Sequence, residues 1–118
     1  MQPPALSSRR SPRVWMGLAA FVAVAGASSA IAAADGFDAR MAEAMTRMHH
    51  AMMLPPFGDP DRDFAAMMIP HHQGAIDMAR VELQYGKDPA IKSLAEGIIK
   101  AQEAEIAMMR EWLKKNGH

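Results

Sequence analysis

Along the chain after Asp38, apolar positions recur at helical spacing in three stretches, and no stretch alternates as a strand would. In the last stretch Ile91, Leu94, Ala95, Ile98, Ile99, Ile106, Met109, Trp112 and Leu113 return at three- and four-residue steps, which places them on one helical face. The middle stretch does the same with Phe64, Met67, Met68, Ala75, Ile76, Ala79 and Leu83. Punctuation residues divide the three. A first helix is predicted from about Asp38 to Met53, stopped by Leu54-Pro55-Pro56-Phe57-Gly58. A second opens with Asp59 as N-cap and Pro60 at the first helical position, and runs to Tyr85 before Gly86. The third repeats the device with Asp88 and Pro89 and ends at Lys115 before Asn116-Gly117. Both starts combine a side-chain oxygen for orphan amides with a ring already set to the helical φ; Asp61 also sits at the positive dipole end of the second helix.

Short connections make the three helices antiparallel neighbours. The expected class is all-α, an antiparallel helical bundle of the ferritin-like or four-helix-bundle type. Roughly 80 residues in three helices bury little, so a homodimer would complete the bundle. If the second turn centres on Lys87, His71 and His72 lie level with Gln102 and Glu103, and Met67 with Ile106–Met109. If the first connection centres between Pro56 and Phe57, Met45 lies level with Met68 and Met41 with His72. Gly97 then faces Asp77, where it would permit close packing.

The first 34 residues have another character. Arg9, Arg10 and Arg13 precede Val14–Ala34, which holds no charged residue and ends in Ala30-Ile31-Ala32-Ala33-Ala34. A basic start, an apolar stretch and small residues are the pattern of a secretory signal, so residues 1–34 are expected to be a leader cleaved between Ala32 and Asp35. Residues 35–118 then form the domain. An uncleaved anchor is the rival reading. The location implied is periplasmic or secreted.

Charge changes with the leader. Of 13 basic residues three lie in it and none of the 13 acidic ones do, so the domain keeps ten against 13, a net charge of −3. No basic stripe for nucleic acid remains, and no patterning suggests membrane-surface binding. The 118-residue chain has no cysteine and 12 methionines, ten of them after residue 40, together with all five histidines.

Those residues are spaced. Met67 with His71, and Met68 with His72, are i,i+4 pairs on the second helix, where such positions share a face. Met78 follows His71 two turns on. The first helix repeats the device with Met45 and His49, extended by Met41, Met48 and Met52, and the third adds Met108 and Met109. The two estimated registers gather Met41, Met45, Met67, Met68, His71, His72 and Met109 near one level. His49, Met48 and Met52 fall nearer Asp61 and Phe64, as a second site. Thioether sulfur with imidazole selects Cu(I), and thioether has no proton to lose, so a Met-dominated site depends less on pH than one built from thiolates. Pro70 removes a backbone donor and should kink the second helix before the histidines. Adjacent side chains point about 100° apart on a regular helix. His71 and His72 therefore either share an ion across a kink or serve two sites. Gln102 and Glu105 are candidates to orient a histidine ring from the third helix.

The plainer readings are packing ones. Methionine at helical spacing is usually core filler, and a lone buried histidine is usually a satisfied polar residue. Two His-His pairs, both preceded at i−4 by Met, are harder to explain by packing. Asp59, Asp61 and Asp63 look like a calcium-loop fragment, but the glycine and glutamate of that motif are missing; capping explains them better. After Asp35 there is neither a Glu-x-x-His pair for a di-iron centre nor a His-Glu-x-x-His zinc motif, so no enzyme is expected.

The block Asp61-Arg62-Asp63-Phe64-Ala65-Ala66-Met67-Met68-Ile69-Pro70-His71-His72-Gln73-Gly74-Ala75-Ile76-Asp77-Met78-Ala79 resembles the signature of the CopM-type copper-binding family. That family was long known only as a domain of unknown function with a ferritin-like bundle. Ile98–Ile106, with Met109 and Trp112-Leu113, looks like the same family's final helix. The resemblance covers about residues 59–113. It implies an exported copper-binding protein or metallochaperone, with roles for His71, His72, Met68, Met78 and Met109 and a copper transporter or acceptor as partner. Met41, Met45 and His49 rest on spacing alone. The reading from sequence is sequestration or delivery of Cu(I), with Cu(II) or Ag(I) as other ions. The alternative is a metal-independent interaction module with a Met-rich docking surface.

Overall fold

A computed structural model describes residues 23–116 of the chain, with side chains from residue 36 onward. Three helices make up the described residues: α1 (Ala23–Met52), α2 (Pro60–Tyr85) and α3 (Pro89–Asn116). The expected all-α class holds. α1 begins well before Asp38, because the run Ala23–Ala34 is rich in alanine, the strongest helix former. Residues 1–22, which carry most of the expected leader, lie outside the described residues. No described helix is long and apolar enough to cross a membrane.

The helix starts are built as their sequences predict. The Asp59 carboxylate accepts from the Arg62 amide at 2.9 Å, and Asp88 accepts from Ala90 and Ile91 at 2.8 and 3.1 Å. Asp63 accepts from the amides of Phe57 and Gly58, which ties the first connection down. These bonds give Asp59 and Asp63 structural tasks in place of a calcium loop. α2 stays helical through Pro70.

α2 is the central helix. α1 and α3 each pack on it, and among the described residues they do not pack on each other. Between α2 and α3 the core consists of Ala65, Ile76, Ile106 and Met109, flanked by Met68, Ile69, Ile99 and Leu113. On the other side of α2, Met48 rests on Gly74, where even a Cβ would come within 2.6 Å of its Cγ. Nearby, Phe37 stacks edge-on against Tyr85 at 6.2 Å. At about 100° per residue, Gly74 and His72 point in nearly opposite directions from α2. The three helices therefore form an open bundle-like arrangement, a single layer with α2 in the middle.

The two faces of the layer differ. Across one runs a chain of ion pairs: Glu43–Arg47 at 2.7 Å, then Arg47–Asp77, Asp77–Arg80 and Arg80–Glu103, each at 3.7 Å. It joins all three helices. The opposite face is open and largely apolar, with Glu82 of α2 and Glu105 of α3 on its stripes. It carries Phe64 and Met67 of α2, and Ile91, Leu94, Met108 and Trp112 of α3, all exposed. Met45 of α1 belongs to this face as well, since it flanks Met48 on the side away from Arg47.

Both registers can now be compared with expectation. Across α2 and α3, Ala75 lines one groove with Ile98, and Phe64 another with Trp112, in agreement with a turn centred on Lys87. Across α1 and α2 the expected register is displaced by more than two turns of α2. The pairs Phe37–Tyr85, Arg47–Asp77 and Met48–Gly74 place Met45 near Met78, not Met68, and Met41 near Val81, not His72. The cause is the connection. Leu54-Pro55-Pro56 cannot turn tightly, because each residue before a proline is driven extended. The segment instead runs back along the first turns of α2, where Leu54–Phe57 line a hollow with Asp63, Ala66 and Met67. Gly97 corrects another expectation. It is exposed, and a Cβ built there would meet nothing; the close approach is at Gly74.

Candidate metal centre

The sequence expectation of seven residues gathered at one level does not survive this register; of the nine candidate ligands, eight divide between two places and Met41 joins neither. At the α2–α3 seam lie His72, Met68 and Met109. The His72 side chain is mostly buried (15% exposed), and its Nε2 meets Oε2 of Glu105 at 2.5 Å. Its Nδ1 is buried and has no hydrogen-bond partner. Met68, one turn earlier, is half-buried against the same core as Ile106. Met109 is 7% exposed and belongs to that core. On the α2–α3 register it lies level with Ala65, about 10 Å along the axis from His72. There it packs with Ala65 and Ile106 in the core.

The second place is the open face over α1 and α2. His71 is exposed there, and Met67 and Met78 lie on the same stripe of α2 one turn before it and two turns after. α1 brings Met45 and His49 alongside, and Met52 reaches the hollow that Met67 also lines. On the α1–α2 register Met45 is level with Met78, His49 with Gln73 and Met52 with Pro70. Met41 faces Val81 and is half-buried, two turns or more from His71. Met48 lies against Gly74 and does not join Met52 near Phe64 as the sequence register suggests.

The two histidines thus part company. Their ring centroids are 6.0 Å apart with planes at 60°; His72 points into the seam and His71 out of the open face. The two rings therefore face different surroundings, one the α2–α3 seam and the other the open face.

The chemistry of the seam turns on the ring of His72. A neutral imidazole that donates Nε2–H to a carboxylate keeps a bare lone pair on Nδ1. In that tautomer the Nδ1 lone pair of His72 is buried without a donor, which is costly if left so. Histidines that hold metals have the same arrangement, with one nitrogen on a carboxylate and the other on the ion. Among the described residues no three His, Asp or Glu side chains converge as a metal site. A centre built on His72 or His71 would draw its other donors from thioether sulfur.

A family model described as a domain of unknown function, DUF305, matches residues 19–113. The chain belongs to the DUF305 family. An uncharacterized protein of Acanthamoeba polyphaga mimivirus is 43% identical over 53 residues, which is 45% of this chain and 35% of that protein. The chain thus spans about a third of the length of that relative. Within this DUF305 chain, Glu105, one of the two residues expected to orient a histidine ring from the third helix, takes that place on His72.

Proposed function

We propose that the protein binds Cu(I) through methionine and histidine side chains, and buffers or delivers it without turnover. One observation carries the reading: the buried, unpartnered Nδ1 of His72, on a ring whose Nε2 is held by Glu105. Met68 supplies the nearest thioether by helical spacing. A neutral nitrogen and a neutral sulfur suit a soft monovalent ion, and Ag(I) would be taken by the same donors. The open-face set of His71, Met67, Met78, Met45 and His49 is a second, more accessible group of soft donors. Exposed donors with few carboxylates among them suit an ion that must be passed on. The resemblance to CopM-type proteins supports copper as the ion. With it come an exported location, with residues 1–34 as the leader, and a copper transporter or acceptor as partner.

Anaerobic titration of Cu(I) against a chromogenic chelator tests this. The protein should withdraw copper from the chelator, and the His71→Ala/His72→Ala double variant should lose most of that capacity. Glu105→Ala should weaken the His72 site about 10- to 100-fold with helicity unchanged. No competition for copper, or equal affinity in the double variant, would overturn the proposal. Under the alternative, a metal-independent docking module, the double variant would keep its partner with copper absent.

A further inference from the structure

We infer that the open face packs on a second copy of this chain, and that Met67 and His71 of both copies together hold one copper ion. The inference rests on the copper reading above and adds to it a site that one chain holds only by half.

The face asks for a partner on several counts. Among the described residues α1 and α3 do not meet, so α2 is covered on two sides only and its third is the stripe of Phe64, Met67, His71 and Met78. Among the described residues, seven of the ten large apolar side chains left exposed lie on this face, and the other three, Met53, Leu54 and Phe57, are in the first connection. The stripe from Phe64 to Glu82 is about 27 Å long, and flanking helices 8–10 Å away give it a footprint on the order of 600 Å². That is the upper end of what monomers expose and near the roughly 800 Å² each partner gives to a standard interface. The inter-helix ion pairs that carry Arg47, Asp77, Arg80 and Glu103 sit on the other face. Two open faces can therefore meet without forcing those charges together. Layers of three helices joined this way give a two-layer bundle, which supplies the core that one chain lacks.

A second copy is preferred to another partner because of where the donors lie. Two identical faces meet about a two-fold axis in the plane between them, and a residue at the middle of the overlap meets its own copy. α2 runs from Pro60 to Tyr85, so His71 lies within a turn of its midpoint and on its open side. Full overlap of the stripes sets the two His71 rings across the axis, with a Met67 one turn from either. On α2 one chain offers an exposed imidazole and one thioether a turn away, too few for a closed site, while Met45 and His49 stand on the neighbouring helix and Met78 two turns along. Two chains offer two imidazoles and two thioethers, a four-donor soft set suited to Cu(I).

Sedimentation velocity and native mass spectrometry of the full chain, loaded anaerobically with Cu(I), decide it. A dimer is expected, with one copper more than its His72 sites account for. His71→Ala should remove that copper and keep the dimer. Leu94→Glu, at a position more than two turns from the level of His71 on the α2–α3 register, should give a monomer that retains the His72 copper and lacks the shared one. Helicity by circular dichroism must match the parent. The cysteine-free chain allows an independent measurement. His71→Cys should cross-link between copies through a short bifunctional maleimide, and Gln84→Cys on the charged side of α2 should not. A wild-type monomer that binds copper overturns this inference and leaves the copper reading standing. A dimer that takes up no copper overturns both. A Leu94→Glu protein that stays dimeric, or equal cross-linking at both cysteines, shows that the open face is not the interface.

Discussion

Gly74 and Gly97 both stand in the middle of helices, where glycine is about 0.5–1 kcal/mol less favourable than alanine, yet their surroundings are opposite. The backbone at Gly74 is pressed by Met48, and an added Cβ would lie within 2.7 Å of that side chain's Cβ and Cγ. The near end of a side chain cannot swing aside as its tip can, so α1 itself would have to shift. Gly97 faces open space. Gly97→Ala should therefore raise stability by about 0.5–1 kcal/mol, and Gly74→Ala should lower it by about 1–3 kcal/mol through overpacking. Urea unfolding followed by circular dichroism measures both, and equal effects of one sign would contradict the described approach of α1 to α2. The histidines show the same dependence on surroundings. Both follow a methionine at i−4, but one turns into the seam beside Glu105 and the other turns out.

The helices themselves were legible from sequence, and the reason is local. The Asp-Pro starts of α2 and α3 and their apolar periodicity depend on residues within a few positions, as does the turn from Gly86 to Asp88 that brought His72 to within a turn of Glu105's level. The α1–α2 register depends on the path of Met53–Asp59, where two prolines bar a tight turn and Asp63 fastens the strand-like backbone from a distance. A tight hairpin was the wrong model for it, and that error misplaced Met41 and Met45 relative to the histidines. Asp63→Ala should release this connection by removing the acceptor of two amides. The expected result is a loss of about 1–2 kcal/mol and faster proteolytic cleavage between Met53 and Gly58. Unchanged cleavage would mean that the hollow lined by Pro55, Pro56 and Met67 holds the segment without Asp63.

At the scale of the whole molecule, the absence of packing between α1 and α3 among the described residues makes the layer two interfaces on one helix. The α2–α3 side holds the apolar core of Ala65, Ile76, Ile106 and Met109. The α1–α2 side relies on Ala44, which is fully buried, on Met48 over Gly74, and on exposed ion pairs worth at most about 1 kcal/mol each. Two interfaces of such unequal make-up should open separately. Ala44→Asp places an unpaired carboxylate in the smaller one, where burying the charge is strongly unfavourable. Hydrogen exchange read by mass spectrometry should then show the amides of residues 36–52 losing protection by an order of magnitude or more, while residues 95–113 keep theirs. Loss of protection in both stretches together would show a single cooperative unit. If α1 opens alone, Met45 and His49 leave the open face with it, while His72, Met68 and Glu105 stay in place. The same experiment repeated with Cu(I) bound would then show whether α1 is fastened by the metal or only by packing.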